Sequence, residues 1–81
     1  MDAYDSEIAD KIVKLMEEKG LRVATTTRTK FKKFADFKRI HDKRLDSIAD
    51  ALWEEHRFLM TYGENAVVVS EDRSVRKFAL I

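Results

Sequence analysis

The amino-acid sequence predicts one small α+β domain, in which three helices pack on a small antiparallel β-sheet. Three observations lead to this prediction. The chain has 81 residues, 44% of them apolar, which is enough for one modest core. Three segments repeat their apolar residues with the period of an α-helix, and a later segment alternates as a β-strand does. Residues 1–81 are therefore expected to form a single domain in the order helix, strand, helix, helix, hairpin.

The first two elements follow from periodicity and from a helix-end signal. A helix is expected over residues 6–19, because its apolar side chains recur at offsets of four, seven and eight residues: Ile8, Ile12, Leu15 and Met16. Lys19 followed by Gly20 is common at the end of a helix. Residues 21–26 form a short segment with β-branched residues, and we expect a strand there.

Two further helices are expected in the middle of the chain. The threonines after the first strand can cap a helix over residues 30–41, whose phenylalanines mark its buried side. The next helix, over residues 43–56, has the most regular apolar stripe of the sequence: Leu45, Ile48, Ala49, Leu52, Trp53 and His56. Trp53 is expected to pack against the core and not to stack on nucleic-acid bases.

The remaining residues change to the period of a β-strand. Residues 57–70 are expected to form a β-hairpin, because an alternating segment and a β-branched segment flank the turn residues Gly63, Glu64 and Asn65. The pattern of residues 71–81 fits three structures: a third strand of the hairpin, a helical turn, or a strand that pairs with a second copy of the chain.

A net charge of +1 does not by itself predict a polyanionic partner, but the charges are unevenly distributed along the chain. Residues 28–44 contain eight basic side chains against Asp36 and Asp42, a local excess of +6. The opening stretch to Glu18 is acidic instead. One concentrated basic segment in a near-neutral protein creates a directed field and favours a surface for a polyanion. The alternative interpretation is a solvated helix face without a partner.

The order of elements over residues 6–70 is similar to that of the winged helix-turn-helix family of DNA-binding domains. The resemblance implies that the third helix is the recognition helix, whose N-terminal residues meet the major groove of duplex DNA. It also implies that the turn at residues 62–66 is the tip of the wing, and members of the family often form dimers. The chain departs from the family in two places. The exposed side of the third helix is acidic, and the wing tip contains Glu64 and no base.

Together these observations predict a DNA-binding protein, a small transcriptional regulator or a DNA-associated accessory factor, with double-stranded DNA as its partner. The predicted binding residues are bases of the second helix and of its junction with the third helix, together with one serine: Arg28, Lys30, Lys32, Lys33, Arg39, Lys43, Arg44 and Ser47. Most contacts should be made to backbone phosphates, with base readout at the start of the third helix.

Two other functions stay open. The same fold can serve as a protein-interaction module, such as a winged-helix adaptor or a small inhibitor made by a virus or a plasmid. Such a module would use the acidic outer side of the third helix, or the apolar tail at residues 78–81, which also suits a homodimer. The bases and the aromatic residues together also fit binding of RNA or single-stranded DNA.

The sequence predicts no enzyme, no cofactor and no metal site. The chain has no cysteine and two histidines, and its serines lack the glycine elbow and the His–Asp partners of a catalytic nucleophile. Glu55 and His56 are neighbours on a helix and point apart, so the pair alone does not form a metal site. Acidic pairs one turn apart, such as Asp46 with Asp50, are common on charged surface helices.

The composition also bears on where the protein resides and on the kind of organism it comes from. The acidic N-terminus is unlike a signal peptide, and an apolar run of about 20 residues, as a membrane span needs, is missing. We therefore expect a soluble, cytoplasmic protein. The chain contains no Pro, Cys or Gln and 38% charged residues, a composition in the direction seen in proteins of thermophiles.

Overall fold

A computed structural model describes residues 3–72 of the chain. These residues form three helices and a three-stranded antiparallel sheet, so the α+β class predicted from the sequence is confirmed. The elements are, in chain order, α1 Ala3–Lys19, β1 Val23–Thr27, α2 Arg28–Phe34, α3 Asp42–His56, β2 Phe58–Tyr62 and β3 Ala66–Glu71. Residues 73–81, which include the apolar tail considered for self-association, lie outside the described part.

Helix α1 ends where the sequence predicts. Gly20 has a φ of 66°, and the amide of Leu21 donates to the carbonyl of Met16 at 2.8 Å. This is the hydrogen-bond pattern by which a left-handed glycine closes a helix. The start of α1 lies earlier than expected, at Ala3, because Tyr4 reaches the rest of the fold: its hydroxyl donates to the carbonyl of Ala35.

Helix α2 is much shorter than predicted, and the expectation of helix through residue 41 is wrong. It starts where Thr27 accepts a hydrogen bond from the amide of Lys30 at 3.1 Å. It stops because Asp36 adopts a left-handed conformation with a φ of 58°. Phe37 thereby leaves the helix direction and packs edge-on against Tyr4, with 5.4 Å between the ring centroids. Burial of this phenylalanine outside the helix favours the turn over continued helix.

Helix α3 agrees with the prediction to within one residue at its start. His41 occupies the N-cap position in an extended conformation, and Asp42 begins the helix. At the other end, Arg57 adopts a left-handed conformation with a φ of 59°, and its amide donates to the carbonyl of Trp53 at 3.1 Å. The helix therefore stops directly before β2.

The sheet has β3 in its centre, with β1 and β2 as its two neighbours. The predicted hairpin is confirmed, since β2 pairs antiparallel with β3 and the amide of Gly63 donates to the carbonyl of Ala66 at 2.9 Å. The first strand lies about two residues later than expected, over Val23–Thr27. Its partner is β3, with Ala24 opposite Val69.

The core lies between α1, α3 and the inner face of the sheet, and α2 closes one side. Its buried apolar residues are Ile8, Ala9, Ile12, Val13, Met16, Phe31, Ala35, Leu45, Ile48, Ala51, Leu52, Phe58, Met60, Val67 and Val69. Trp53 was expected to pack against this core, but it does not belong to it. It is 37% exposed, and the guanidinium of Arg57 lies 4.8 Å from its ring centroid. Among residues 3–72, the helices are all too short or too polar to span a bilayer.

Candidate nucleic-acid interface

Basic side chains of the middle segment line a shallow depression of about 330 Å³. One wall is α2, and the other is the segment that joins α2 to α3. The lining residues are Arg28, Thr29, Lys32, Lys38, Arg39, Ile40 and His41. None of these lining residues is acidic, so the surface presents positive charge to any ligand that enters it.

The two walls meet because of the short helix and the turn that ends it. Arg28 and Lys32 are four residues apart on α2 and therefore share a face. The left-handed residue Asp36 then reverses the chain, so that Lys38 and Arg39 come to lie opposite that face. A helix continued to residue 41 would have placed Lys38 on another face and Arg39 two turns further along the axis than Lys32. The turn that the sequence did not predict thus builds the depression.

Arg28, one of the lining residues, is held in place by several partners. Its guanidinium lies 3.0 Å from the Asp42 carboxylate and donates to the carbonyls of Ile40 and Gly63 at 3.3 Å each. It also lies 5.7 Å from the ring centroid of Tyr62. These contacts tie α2 to α3 and to the hairpin turn. Arg28 therefore acts mainly as a structural residue whose charge is balanced by Asp42.

Tyr62 extends this network along α3. Its hydroxyl donates to the Asp46 carboxylate at 2.6 Å. That hydrogen bond, together with partial desolvation and the negative charge of Asp46, raises the pKa of Tyr62 to about 12. The hydroxyl therefore stays protonated at neutral pH. Asp46, one of the acids expected on the outer side of the third helix, is drawn toward the hairpin.

Arg44 lies away from the depression. Its Nε is 3.1 Å from Oδ1 of Asp5, a carboxylate that is 1% exposed. The guanidinium also covers two rings, 5.5 Å from the centroid of Tyr4 and 5.0 Å from that of Phe37. Arg44 thus joins α3 to α1 through a largely buried ion pair, and the structure does not bring it together with the other predicted binding residues.

The other four predicted residues do not line the depression. Lys30 lies on the opposite side of α2, where it borders an apolar groove between α1, β1 and α2. Lys33 and Lys43 are exposed, the first on α2 and the second in the first turn of α3. Ser47 is half-buried, one turn further along α3 than Lys43. The structure therefore groups three of the predicted residues, Arg28, Lys32 and Arg39, in the depression itself.

Two lining residues were not among the predicted binding residues. Lys38 belongs to the basic segment and lines the depression. His41 lines it as well and is exposed. The local charge excess was the signal that could have identified Lys38.

The outer side of α3 is acidic beyond its first turn, as the sequence predicts. Asp46, Asp50 and Glu54 are all exposed and follow one another at helical spacing. These carboxylates would repel phosphate along most of the helix. At the start of α3, Asp42 is paired with Arg28 and Lys43 adds a base, so the repulsion is weakest there.

No protein-family model, no curated protein and no solved structure matches this chain. A proposal for its function therefore depends on the contacts and charges of the described residues.

Proposed function

We propose that this chain is a DNA-binding protein that holds the backbone of a duplex in its basic depression. The observation that carries the proposal is the depression itself: Arg28, Lys32, Lys38, Arg39 and His41 line it without an acidic residue among them. Backbone phosphates are the ligands that such a surface binds most readily in a nucleic acid. A small transcriptional regulator or a DNA-associated accessory factor is the class of protein we infer.

The arrangement of elements supports a winged-helix assignment within this proposal. Three helices and a hairpin follow one another in the order of that family, and β1 pairs with β3 on the far side from β2. In such domains the third helix meets the major groove through its N-terminal residues. Here that position belongs to the first turn of α3, next to the depression. Lys43 and Ser47 are the residues we assign to base edges or to the phosphates beside them.

Most of the affinity is expected from phosphate contacts. We define the basic surface as the bases of the depression outside the described ion pairs, together with the exposed lysines Lys33 of α2 and Lys43 of α3: Lys32, Lys33, Lys38, Arg39 and Lys43. Five phosphate contacts on duplex DNA correspond to a slope of about −4.5 in a plot of log K against log salt. Arg39 can grip a phosphate with two donors, whereas the lysines act as point charges.

The proposal is tested by fluorescence anisotropy on a labelled duplex of about two helical turns. The variant Lys38→Ala/Arg39→Ala removes two bases of the basic surface, and loss of two phosphate contacts weakens binding about 30-fold at 0.15 M salt. The matched control is Lys11→Ala/Lys14→Ala, which removes two exposed lysines from α1. We expect the control to bind within about threefold of the wild-type protein, since exposed charges far from the duplex are screened.

Two results would contradict the proposal. One is a wild-type protein that does not bind duplex DNA even at 0.05 M salt. The other is equal loss of affinity in the depression variant and in the α1 control, because binding would then follow net charge and not this surface. Circular dichroism of both variants confirms that the helices are retained.

A protein-interaction module is the second candidate, and one observation favours it. Asp50 and Glu54 are exposed one turn apart on α3, next to the partly exposed Trp53. An aromatic residue beside a row of carboxylates suits a partner with a basic, amphipathic segment. Under this function, Asp50→Lys/Glu54→Lys abolishes partner binding, whereas a DNA-binding protein binds duplex DNA more tightly after the same change.

A further inference from the structure

A second group of side chains meets at the opposite end of α3, outside the DNA-binding surface proposed above. Asp10 on α1 faces Glu55 and His56 in the last turn of α3. One donor atom from each of the three lies within 4.8 Å of the other two, and Nε2 of His56 is 2.6 Å from Oδ1 of Asp10. The helix rise places this cluster roughly 20 Å along α3 from the depression.

We propose that Asp10, Glu55 and His56 form a binding site for a divalent transition-metal ion, with Zn²⁺ as the ion that fits best. Imidazole nitrogen and carboxylate oxygen are both zinc ligands, and a site with three protein ligands leaves the fourth position open. Zinc–ligand distances near 2.1 Å imply ligands about 3.4 Å apart in a tetrahedron, so the three side chains need only small rotations to bind it. Water would complete the coordination.

The imidazole also sets the selectivity of the site. Mg²⁺ and Ca²⁺ prefer oxygen ligands and take six or more of them, whereas nitrogen ligands favour Zn²⁺ and its neighbours among the transition metals. As metal ligands, two carboxylates and one imidazole carry a formal charge of −2, which the metal ion balances. The site lies in the last turn of α3, and the C-terminal end of a helix also attracts a cation.

The fold holds the three ligands in place. Ala9, beside Asp10 on α1, and Leu52, one turn before His56 on α3, are both completely buried. The helix backbones that carry the donors are therefore fixed by core packing. Ser6 donates a hydrogen bond to Oε2 of Glu55 at 2.7 Å and so orients that carboxylate. Supporting hydrogen bonds of this kind align metal ligands before the ion arrives.

The third ligand explains why the sequence pointed to no metal site. Glu55 and His56 point apart on α3, and alone they do not form a ligand pair. Asp10 comes from another helix, more than forty positions away in the sequence, and the packing of α1 on α3 brings it to both. A bound ion would connect α1 to the end of α3 only in the folded chain, and it would therefore raise the melting temperature.

The experiment is calorimetric titration of the metal-free protein with ZnCl₂ at neutral pH, with MgCl₂ as the comparison ion. We expect one saturable Zn²⁺ site per chain and no Mg²⁺ binding at the same concentrations. His56→Gln should weaken Zn²⁺ binding at least tenfold, since an amide replaces the nitrogen ligand. The matched control is His41→Gln, which removes the only other histidine and should leave the Zn²⁺ affinity unchanged. Ser6→Ala should weaken binding about tenfold through the lost orientation of Glu55.

A second measurement on the wild-type protein makes the test independent of the variants. The chain has two histidines, so its NMR spectrum contains two sets of imidazole signals. We expect Zn²⁺ to shift the signals of His56 and to leave those of His41 in place. The proposal is overturned if Zn²⁺ shifts only His41, if it shifts neither ring, or if His56→Gln binds Zn²⁺ as tightly as the wild-type protein.

Discussion

Replacement of Arg44 by methionine distinguishes two roles of this residue. The structure pairs it with Asp5, whereas the sequence predicts that it binds DNA. In the structure Arg44 neutralises Asp5, a carboxylate that is 1% exposed, and covers the rings of Tyr4 and Phe37. Methionine keeps much of the apolar contact and removes the charge. The variant therefore removes the ion pair between Arg44 and a carboxylate inside the protein.

The expected loss of stability is large for a protein of this size. Removing one partner of a buried ion pair costs about 3–5 kcal/mol of unfolding free energy. The side chain of Arg44 is 33% exposed, so water can partly replace it, and we expect a loss of about 2–4 kcal/mol. For a domain of this length, each kcal/mol corresponds to about 4–8 °C in melting temperature. Arg44→Met should therefore melt at least about 8 °C lower than the wild-type protein.

Urea unfolding followed by circular dichroism measures this loss, and two further variants define its origin. Asp5→Leu/Arg44→Met removes both charges and should recover most of the lost stability, because replacing a whole buried pair by apolar residues is often neutral. Arg22→Met removes an exposed arginine and should change the unfolding free energy by less than about 0.5 kcal/mol.

DNA binding by the folded variant completes the test. A phosphate contact is worth about fivefold in affinity at 0.15 M salt, whereas a residue that only joins two helices contributes nothing directly. We expect Arg44→Met to bind duplex DNA within about twofold of the wild-type protein at a temperature where both are folded. A stability loss below about 1 kcal/mol, or a fivefold loss of affinity in the folded variant, would refute the structural interpretation of Arg44.

Three further predictions follow from the fold and the basic surface. Lys32→Ala should reduce the salt slope of DNA binding by about 0.9, whereas Lys30→Ala, on the other side of α2, should leave the slope unchanged. Asp36→Gly should raise the unfolding free energy by about 0.5 kcal/mol and Asp36→Val should lower it by at least about 1 kcal/mol in urea titrations, because Asp36 is left-handed. Because the pKa of Tyr62 is raised, its contribution to stability is complete below pH 10 and is lost as the pH rises toward 12. In Tyr62→Phe and in Asp46→Asn, the free energy of unfolding measured in urea should therefore decrease less over this pH range.

The parts of the fold that were predictable depend on local sequence. The ends of α1 and α3 and the β2–β3 hairpin follow from apolar period, from Gly20 and from the turn at Gly63, all of which act within a few residues. The end of α2 was not predictable in this way. Its phenylalanines continue the helical period, but Phe37 packs against Tyr4, which lies near the start of α1. Periodicity cannot reveal such a contact.

The candidate sites show the same division between local and distant information. The charge excess of residues 28–44 indicated where a basic surface would lie, because neighbouring bases stay close whatever the fold. The role of Arg44 depends on Asp5, and the metal-ligand cluster depends on Asp10, and both acids reach their partners only through the packing of α1 on α3. The composition identified the basic segment, whereas tertiary packing determined which of its bases line the depression and which form ion pairs.

The ion pairs also determine how much of the predicted charge remains for DNA. Arg28 is paired with Asp42, so this pair removes one base and one acid from the segment and leaves its excess unchanged. Arg44 is paired with Asp5, which lies outside the segment, so this pair removes one positive charge. Six bases and the acid Asp36 lie outside the two pairs, and the excess falls only from +6 to +5. Five of these bases form the basic surface, whereas Lys30 lies on the other side of α2. Since the salt dependence of binding follows the number of neutralised phosphates, the protein should still bind a duplex strongly at low salt and weakly at high salt. A salt slope near zero would mean that these bases do not contact phosphate, and α3 with its carboxylates would then be the surface to examine for a protein partner.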